Sequence, residues 1–465
     1  MKKNVKIKLP EPMHFIGIGG VGMSAIAQSL HANGLKVTGS DSSDSAIISK
    51  MAEMGINIQL SHRTANVESA AAVVHSSAIS EDNPELIRAK ELGLAIFHRS
   101  DVLAKILDCY ESVGICGTHG KTTTSALISH ILQKLNCKPT CFVGGAMNSW
   151  ESTYAHGAGE WAVAEVDESD GSFLKSSHFV TVITNIDIDH MEYFGTREKQ
   201  LEAFQKFASN THSEGCCVVN WDDLPLRQVS NMAPRRLAFG FKLGSDVRAI
   251  DYKCREGISS FTAIVERDRF DVTLPQFGRH NVLNALAALA TVRALELDVG
   301  SAVKALQDFA GVARRQQRYL QSEKLVVLDD YAHNPGKIAA YLESVKENWP
   351  SHELIVVFQP HRYSRLRSSL DETIRSFSKC DKLILLPVYS AGEPVDANFS
   401  LERLIQSFDE ALESTDVMGA VDLNRAEALV SAHTNNDKRT VVSTVGAGDV
   451  WKVAKEFNAK QTARA

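Results

Sequence analysis

Short apolar runs alternate with stretches of helical period along the chain. Met13–Gly17 is an apolar run of strand length; Gly22–Asn33 then places apolar residues at helical spacing, with Gly34 as a stop signal. Lys36–Thr38, running into Gly39-Ser40-Asp41, and Ala71–His75 are two more strand candidates. Strands alternating with helices in this way predict a parallel sheet with helices on its faces. The rhythm restarts near Glu111. Val113–Cys116 is a run of the buried type, a helix is predicted over Thr123–Leu135, and Trp161–Val166, Val180–Thr184 and Cys216–Asn220 continue the strands. Ala238–Pro275 reads as β-rich and Asn281–Leu295 as an Ala- and Leu-rich helix. A third unit opens after the basic run Arg314–Arg318. Its strands are predicted at Leu325–Leu328, Leu354–Phe358, Leu383–Pro387 and Val441–Thr444, and a helix over Lys337–Asn348. The polar end from Lys460 to Ala465 is expected to fray.

The length of 465 residues fits three such units, at roughly 100–200 residues per domain. Composition acts mainly by exclusion. With 44% hydrophobic and 23% charged residues the chain is globular and not disordered. Lys+Arg total 50 against 56 Asp+Glu, a net charge of -6, so the basic surplus of a general nucleic-acid binder is missing. A phosphate-bearing small molecule needs only a local basic patch. No apolar run approaches the roughly 18 residues of a membrane-spanning helix. The basic start, Met1 to Pro12, has no apolar core and is not expected to be a secretory signal. The eight cysteines are scattered, without a CxxC pair, and are read as reduced cytosolic thiols.

The candidate chemistry sits where strands run into helices. In Gly117-Thr118-His119-Gly120-Lys121-Thr122-Thr123-Thr124 a strand enters a glycine turn and then a helix. Backbone N–H groups of such a turn point at an anion, and the helix N-terminus adds a positive dipole end. Lys121 would reach the β- and γ-phosphates and the Thr122 hydroxyl would sit on Mg2+. The match is a variant, because Ile115 stands where the strict pattern has its first glycine. In a surface loop of this kind Lys121 should be removable with no loss of stability. A second loop, Gly17-Ile18-Gly19-Gly20-Val21-Gly22, is followed 19 residues later by Asp41. It fits a diphosphate with a ribose near Asp41, or a tight helix–strand turn that binds nothing. The acidic segments Glu165–Asp170 and Asn185–His190 both end strands and so emerge on the ligand edge of a parallel sheet. They are candidates for the metal of a nucleotide, or solvated loops. Arg362 and Arg365, just past the strand Leu354–Phe358, could clamp a carboxylate or lie in a solvated basic loop.

In order and spacing these segments resemble the Mur ligase family, the ATP-dependent amino-acid ligases of peptidoglycan synthesis, and within it the branch that adds L-alanine. The resemblance covers nearly the whole chain: HFIGIGGVGMSAIA and GSD, HSSAIS with NPE, GTHGKTTT, AEVDESDGSFL, TNIDIDHME, GRHNVLNALAA, DDYAHNP, FQPHRYSRLR and YSAGE. It implies an α/β chain of three domains. A Rossmann-like, UDP-substrate-binding domain would span residues 1–110, a central phosphate-loop ATPase domain with a parallel sheet 111–313, and a C-terminal Rossmann-like α/β domain 314–465. The last would bind the amino acid and close over ATP.

The implied cofactors are ATP and Mg2+ at two sites, with Mn2+ able to replace it. The implied partners are UDP-N-acetylmuramate, ATP and L-alanine, with no nucleic acid, no membrane and no obligatory protein partner, in the cytoplasm. Gly117, Thr118, Gly120, Lys121, Thr122 and Thr123 would cradle the ATP phosphates, with Asn281 and Asn284 facing the nucleotide. Lys121, His119, Arg315 and Asp330 would be catalytic, the last two also meeting ATP from the third domain. Thr122 and Glu165 would ligate one Mg2+ and His190 a second. Gly19, Gly20, Val21, Gly22, Asp41, Ser76, Ser77 and Asn83 would hold the UDP part, and Tyr331, His333, Arg362 and Arg365 the amino acid.

Two departures stand out. Asn334 occupies a position where relatives usually read His, and Gln205 stands where several related ligases carry a modified lysine, so no carbamylated lysine is expected. Three other readings stay open on the residues alone. A ligase that joins UDP-N-acetylmuramate to a preformed tripeptide shares GTHGKTTT. An NAD-dependent oxidoreductase would use the glycine-rich start but leaves the phosphate loop unexplained. A nucleotide-binding regulator would bind without catalysis.

Overall fold

The computed structural model describes residues 7–434 and 438–464. It is an α/β protein built on three sheets. The N-terminal sheet is wholly parallel, with strands in the order β3 (Asn57–Gln59), β2 (Val37–Ser40), β1 (Met13–Ile16), β4 (Ala72–His75) and β5 (Ala95–His98). The central sheet has ten strands. From one edge they run β15 (Asp268–Leu274), β14 (Ile258–Val265), β13 (Val247–Arg255), β12 (Arg236–Gly240), β11 (Thr211–Asn220), β10 (His178–Ile183), β6 (Glu111–Cys116), β9 (Trp161–Glu165), β7 (Thr140–Met147) and β8 (Ser152–Ala155). The C-terminal sheet runs β16 (Gln317–Gln321), β17 (Leu325–Asp330), β21 (Thr440–Val445), β18 (Glu353–Phe358), β19 (Lys382–Leu385) and β20 (Asp416–Gly419), and only its β16–β17 pair is antiparallel.

The strands that were legible in the sequence are those buried on both faces, where side chains alternate between two cores. In the C-terminal sheet Val326, Leu328, Val356 and Phe358 enter one cluster. Their neighbours Val327, Ile355 and Val357 enter another with Phe457. The chain divides into two compact units, one of Met1–Asp251, Phe261–Thr273 and Val282–Ala310, the other of Tyr252–Ser260, Leu274–Asn281 and Gly311–Ala465. No described helix is long and apolar enough to cross a membrane.

Two expectations need correction. The phosphate-loop helix begins at Lys121 and not at Thr123. The C-terminal end does not fray from Lys460: the helix Trp451–Arg464 continues through it, and Lys460 pairs with Glu427.

A buried carboxylate braces the N-terminal sheet. Glu85 is fully buried and accepts from Ser40 Oγ (2.6 Å), His62 Nδ1 (3.0 Å) and Asn66 Nδ2 (2.5 Å), with His14 Nε2 at 3.6 Å. Burial pushes the carboxyl up, but the adjacent His14 ring and the hydrogen bonds from Ser40 and Asn66 outweigh it and hold it at about 2. Because the folded value lies below the unfolded one, this stabilisation is present above about pH 4.5 and disappears as pH falls toward 2. It amounts to about 3 kcal/mol. Glu85→Gln should lower the unfolding free energy by that order at neutral pH, and denaturant titrations should show the gap from wild type closing in acid.

Candidate functional site

The phosphate loop joins β6 to the helix Lys121–Lys134. Gly117 (φ +126°) and Gly120 (φ +82°) lie in the left-handed region, where a Cβ is strained. A Cβ on Gly117 would strike Thr184 Oγ1, and one on Gly120 would lie 2.5 Å from Asn284 Oδ1. In the sheet β6 lies between β9 and β10, so both acidic segments flank the loop.

The segment after β10 acts as the loop's frame. Thr118 N–H donates to Asn185 O (3.1 Å) and His119 N–H to Asn185 Oδ1 (2.9 Å). The His119 carbonyl accepts from Thr184 Oγ1 (2.6 Å) and Asn185 Nδ2 (2.9 Å), and Asp187 N–H donates to Thr118 Oγ1 (2.9 Å). His119 Nε2 stands 3.4 Å from Asp187 Oδ2. Asn284 reaches the same place from its own helix, its Oδ1 accepting from Thr124 Oγ1 (3.2 Å).

Lys121 is not the exposed lysine the sequence suggested. Its side chain is 15% exposed, and Nζ donates to Gly117 O (2.7 Å) and Glu168 Oε1 (2.6 Å). Burial by itself would draw its pKa down. The carboxylates of Glu168, Glu165 and Asp167 outweigh burial and raise it, so the ammonium stays charged. Removing Lys121 therefore costs stability as well as charge.

Of the metal candidates, Thr122 lies buried in the first turn of the loop helix. Glu165 ends β9 and accepts from Gly144 N–H (3.0 Å). His190 (φ +56°) enters a short helix with its Nε2 4.0 Å from Glu168 Oε1. Among the described residues no three His, Cys, Asp or Glu side chains converge on a point.

The glycine loop after β1 is stitched to the end of β2. Gly17 and Ile18 N–H groups donate to Ser40 O, and Gly19 N–H donates to Asp41 Oδ2 (2.9 Å). The loop's last residues, Gly20, Val21 and Gly22, open the helix Val21–Ala32, and Val21 is exposed. The turn that begins at Ser76 and Ser77 comes alongside, since a Cβ on Gly17 would lie 3.1 Å from Ile79 Cδ1. Asn83 has a structural task. Its Oδ1 caps the helix Pro84–Glu91, accepting from Glu85 N–H (2.9 Å) and Leu86 N–H (3.3 Å).

In the second unit Asp330 works through the backbone. Its two oxygens accept from Gln316 N–H (2.8 Å) and Ala332 N–H (2.8 Å). It thereby holds the turn that presents Arg315, where Arg314 (φ +62°) and Gln316 (φ +46°) both take left-handed conformations. Arg315 lies over the Tyr331 ring at 5.2 Å. Asn281 donates to Gln316 Oε1 (2.8 Å) and Phe277 O (3.0 Å), so it braces this turn.

The acceptor candidates also come together. Tyr331 meets His333 edge-on at 5.3 Å, His333 lies 6.4 Å from His361, and His361 stacks on Tyr389 at 5.5 Å. Arg365 Nη1 donates to His361 Nδ1 and His361 O, both at 3.2 Å. Burial, reinforced by Arg365, pulls His333 down to about 3 and His361 to about 4, so both rings are neutral at pH 7. Arg362 sits at φ +67°, an uncommon conformation for a non-glycine residue. Asn334 caps the helix Pro335–Asn348, accepting from Lys337 N–H (3.0 Å). Asn334→Ala should lower stability by about 1 kcal/mol and leave use of the amino acid unchanged, as thermal melting and substrate titration would show.

Sequence reasoning gave Glu168 and Asn185 only as members of acidic segments for a metal, and it did not single out Thr184 by the phosphate loop or His361 and Tyr389 beside the arginines. The partners of Glu168, Thr184 and Asn185 are 47 or more positions away in the chain.

Comparison with known proteins agrees across the chain. Residues 12–111 match the Mur ligase family, catalytic domain; residues 115–292 match the Mur ligase middle domain; and residues 314–448 match the Mur ligase, glutamate ligase domain. The chain is 39% identical to the UDP-N-acetylmuramate–L-alanine ligase of Methylobacterium radiotolerans, over 98% of this chain and 100% of that one. It is 36% identical to the ligase of the same name from Sorangium cellulosum, over 97% of each. The structure of UDP-N-acetylmuramate-alanine ligase from Thermotoga maritima superposes with a TM-score of 0.82 at 28% identity, covering 97% of this chain and 99% of that one. A murein peptide ligase from Psychrobacter arcticus shares the fold, with a TM-score of 0.70 at 20% identity over 96% and 98% of the two chains.

Proposed function

Because this chain belongs to the Mur ligase family, we propose that it joins L-alanine to the lactyl carboxylate of UDP-N-acetylmuramate. ATP is cleaved to ADP and phosphate, and the product feeds peptidoglycan synthesis in the cytoplasm. The observation that carries this reading is the phosphate loop with Lys121 at its end, in a chain that aligns from end to end with ligases of that name.

The loop suits ATP phosphates. Gly117 and Gly120 leave no room for a Cβ, and the helix N-terminus and Lys121 supply positive charge. Thr118 belongs to the same turn, and Thr122 and Thr123 lie in the first turn of the helix that follows it. The residues also suit Mg2+. Thr122 and Glu165 would hold one ion and His190 a second, with nucleotide oxygens and water completing each shell, as is usual for this metal. The dry oxygen Glu168 Oε2, which has no hydrogen-bond partner among the described residues, marks the place as wanting a cation. When bound, Mg2+ draws negative charge from the phosphoryl oxygens.

A lactyl carboxylate oxygen attacks the γ-phosphorus and ADP leaves, giving an acyl phosphate; the free amino group of L-alanine then attacks its carbonyl, phosphate leaves, and the nitrogen gives up a proton to solvent. The protein's part is positioning and charge neutralisation. Lys121 offsets the repulsion between carboxylate and triphosphate. His119, beside Asp187, faces the same reaction, and Asn284 positions the loop. Asp330 and Asn281 shape the turn that presents Arg315 to the nucleotide. Gly19, Gly20, Val21, Gly22, Asp41, Ser76, Ser77 and Asn83 form the UDP side. Tyr331, His333, Arg362 and Arg365 form the amino-acid side.

A coupled phosphate-release assay with UDP-N-acetylmuramate, ATP and a panel of acceptors tests the reading. L-Alanine should be used best. Turnover with a preformed tripeptide instead would make the enzyme a recycling ligase, and no release with any acceptor would leave a nucleotide-binding regulator.

A further inference from the structure

Among the acids around the phosphate loop, Glu168 is bound to the lysine itself. Lys121 Nζ donates to its Oε1 at 2.6 Å while also donating to Gly117 O. The Glu168 side chain is 1% exposed, and among the described residues Oε2 has no hydrogen-bond partner. The neighbouring acids have donors of their own: Gly144 N–H for Glu165 and Ser169 N–H for Asp167. Among the described residues the ion pairs of Glu168 are the one to Lys121 and a longer one to the His190 ring at 4.0 Å, so its charge relies chiefly on Lys121. A dry carboxylate that loses its cation is strongly disfavoured. Phosphate oxygens that engage Lys121 draw on the same ammonium and bring like charge close to Glu168. Neutrality returns when the nucleotide carries a divalent cation with it.

We propose that Glu168 is a positioning residue that makes nucleotide binding depend on magnesium. It holds Lys121 against Gly117 O, and it disfavours a nucleotide that would share that lysine without bringing a metal. The sequence places Glu168 in the middle of Glu165–Asp170, where it reads as one more metal-binding acid. The fold instead aims it at the lysine, 47 positions away.

This inference rests on the reading of the chain as an ATP-using ligase. The experiment is calorimetric titration of ADP, with magnesium and with EDTA, into the full-length wild-type chain, Glu168→Gln and Glu168→Asp. Glutamine keeps the shape and removes the charge. Metal-free ADP should then bind roughly 10-fold or more tighter, the factor expected for relief of one charge-assisted contact. Magnesium ADP should change far less, so the gain from magnesium shrinks. Aspartate keeps the charge and should keep the gain. Should Glu168→Gln fail to fold, Glu168→Ser discharges the site while admitting water and is read in the same way. An undiminished magnesium gain in the discharged variant, or equal weakening of both ADP forms, overturns the inference and leaves Glu168 a structural prop. If the wild-type chain binds no ADP in either condition, it is the ligase reading that fails.

Discussion

Lys121→Ala should all but abolish ligation, lowering turnover by about 10³-fold or more, as loss of a cation from a phosphoryl-transfer site does. Alanine also strands Glu168 in a dry environment, since the Glu168 side chain is 1% exposed and bonded to Lys121. Breaking a buried pair from one side costs about 3–5 kcal/mol, so the single variant should melt well below wild type. Combining Lys121→Ala with Glu168→Gln separates the two effects: stability should largely return and turnover should not. Chemical denaturation and phosphate release, measured on both variants, check the two halves independently. Near-normal turnover in Lys121→Ala would remove this loop from the chemistry.

The second large effect is expected at the arginines after β18. A free amino acid brings a carboxylate that must be gripped so that its amine faces the acyl phosphate. Arg365 is already oriented, its Nη1 donating to the ring and carbonyl of His361. Arg362 is held in a left-handed conformation that ordinary sequence preference disfavours. A hydrogen bond to a charged group contributes about 1.5–3 kcal/mol, which corresponds to roughly 10–150-fold in affinity. Arg362→Ala and Arg365→Ala should each raise the KM for L-alanine by a factor in that range and change the KM for ATP little. Arg365→Lys should not restore it, because an ammonium lacks the planar fork that can reach His361 and a carboxylate together. Loss of ATP affinity with normal alanine use would move both residues to the nucleotide side.

The layout of the fold is written locally along the chain. The run Leu354–Phe358 is apolar on both faces, and a strand so composed is stable only between two layers of helices. Gly117, Gly120 and Lys121 announce a phosphate loop because left-handed turns and helix N-termini are local properties, set by residues a few positions apart. The order of the motifs carried the family. The loop helix was misplaced by two residues, since helix onset depends on how Gly120 caps it.

Which polar residues act together emerges from the folded arrangement. Glu168 looked like a member of an acidic metal loop and is the partner of Lys121. Asn185 looked like part of a second such loop and is the frame of the first. Asp330 is bonded to two backbone amides of the turn that carries Arg315, and Asn83 and Asn334 also cap helices. For Glu168 and Asn185 the physical reason is the same: a polar group withdrawn from water must find a partner, and proximity across the sheet edge supplies one 47 and 66 positions away, separations that no local pattern records. The two caps are local, each bonded within three residues of its own position.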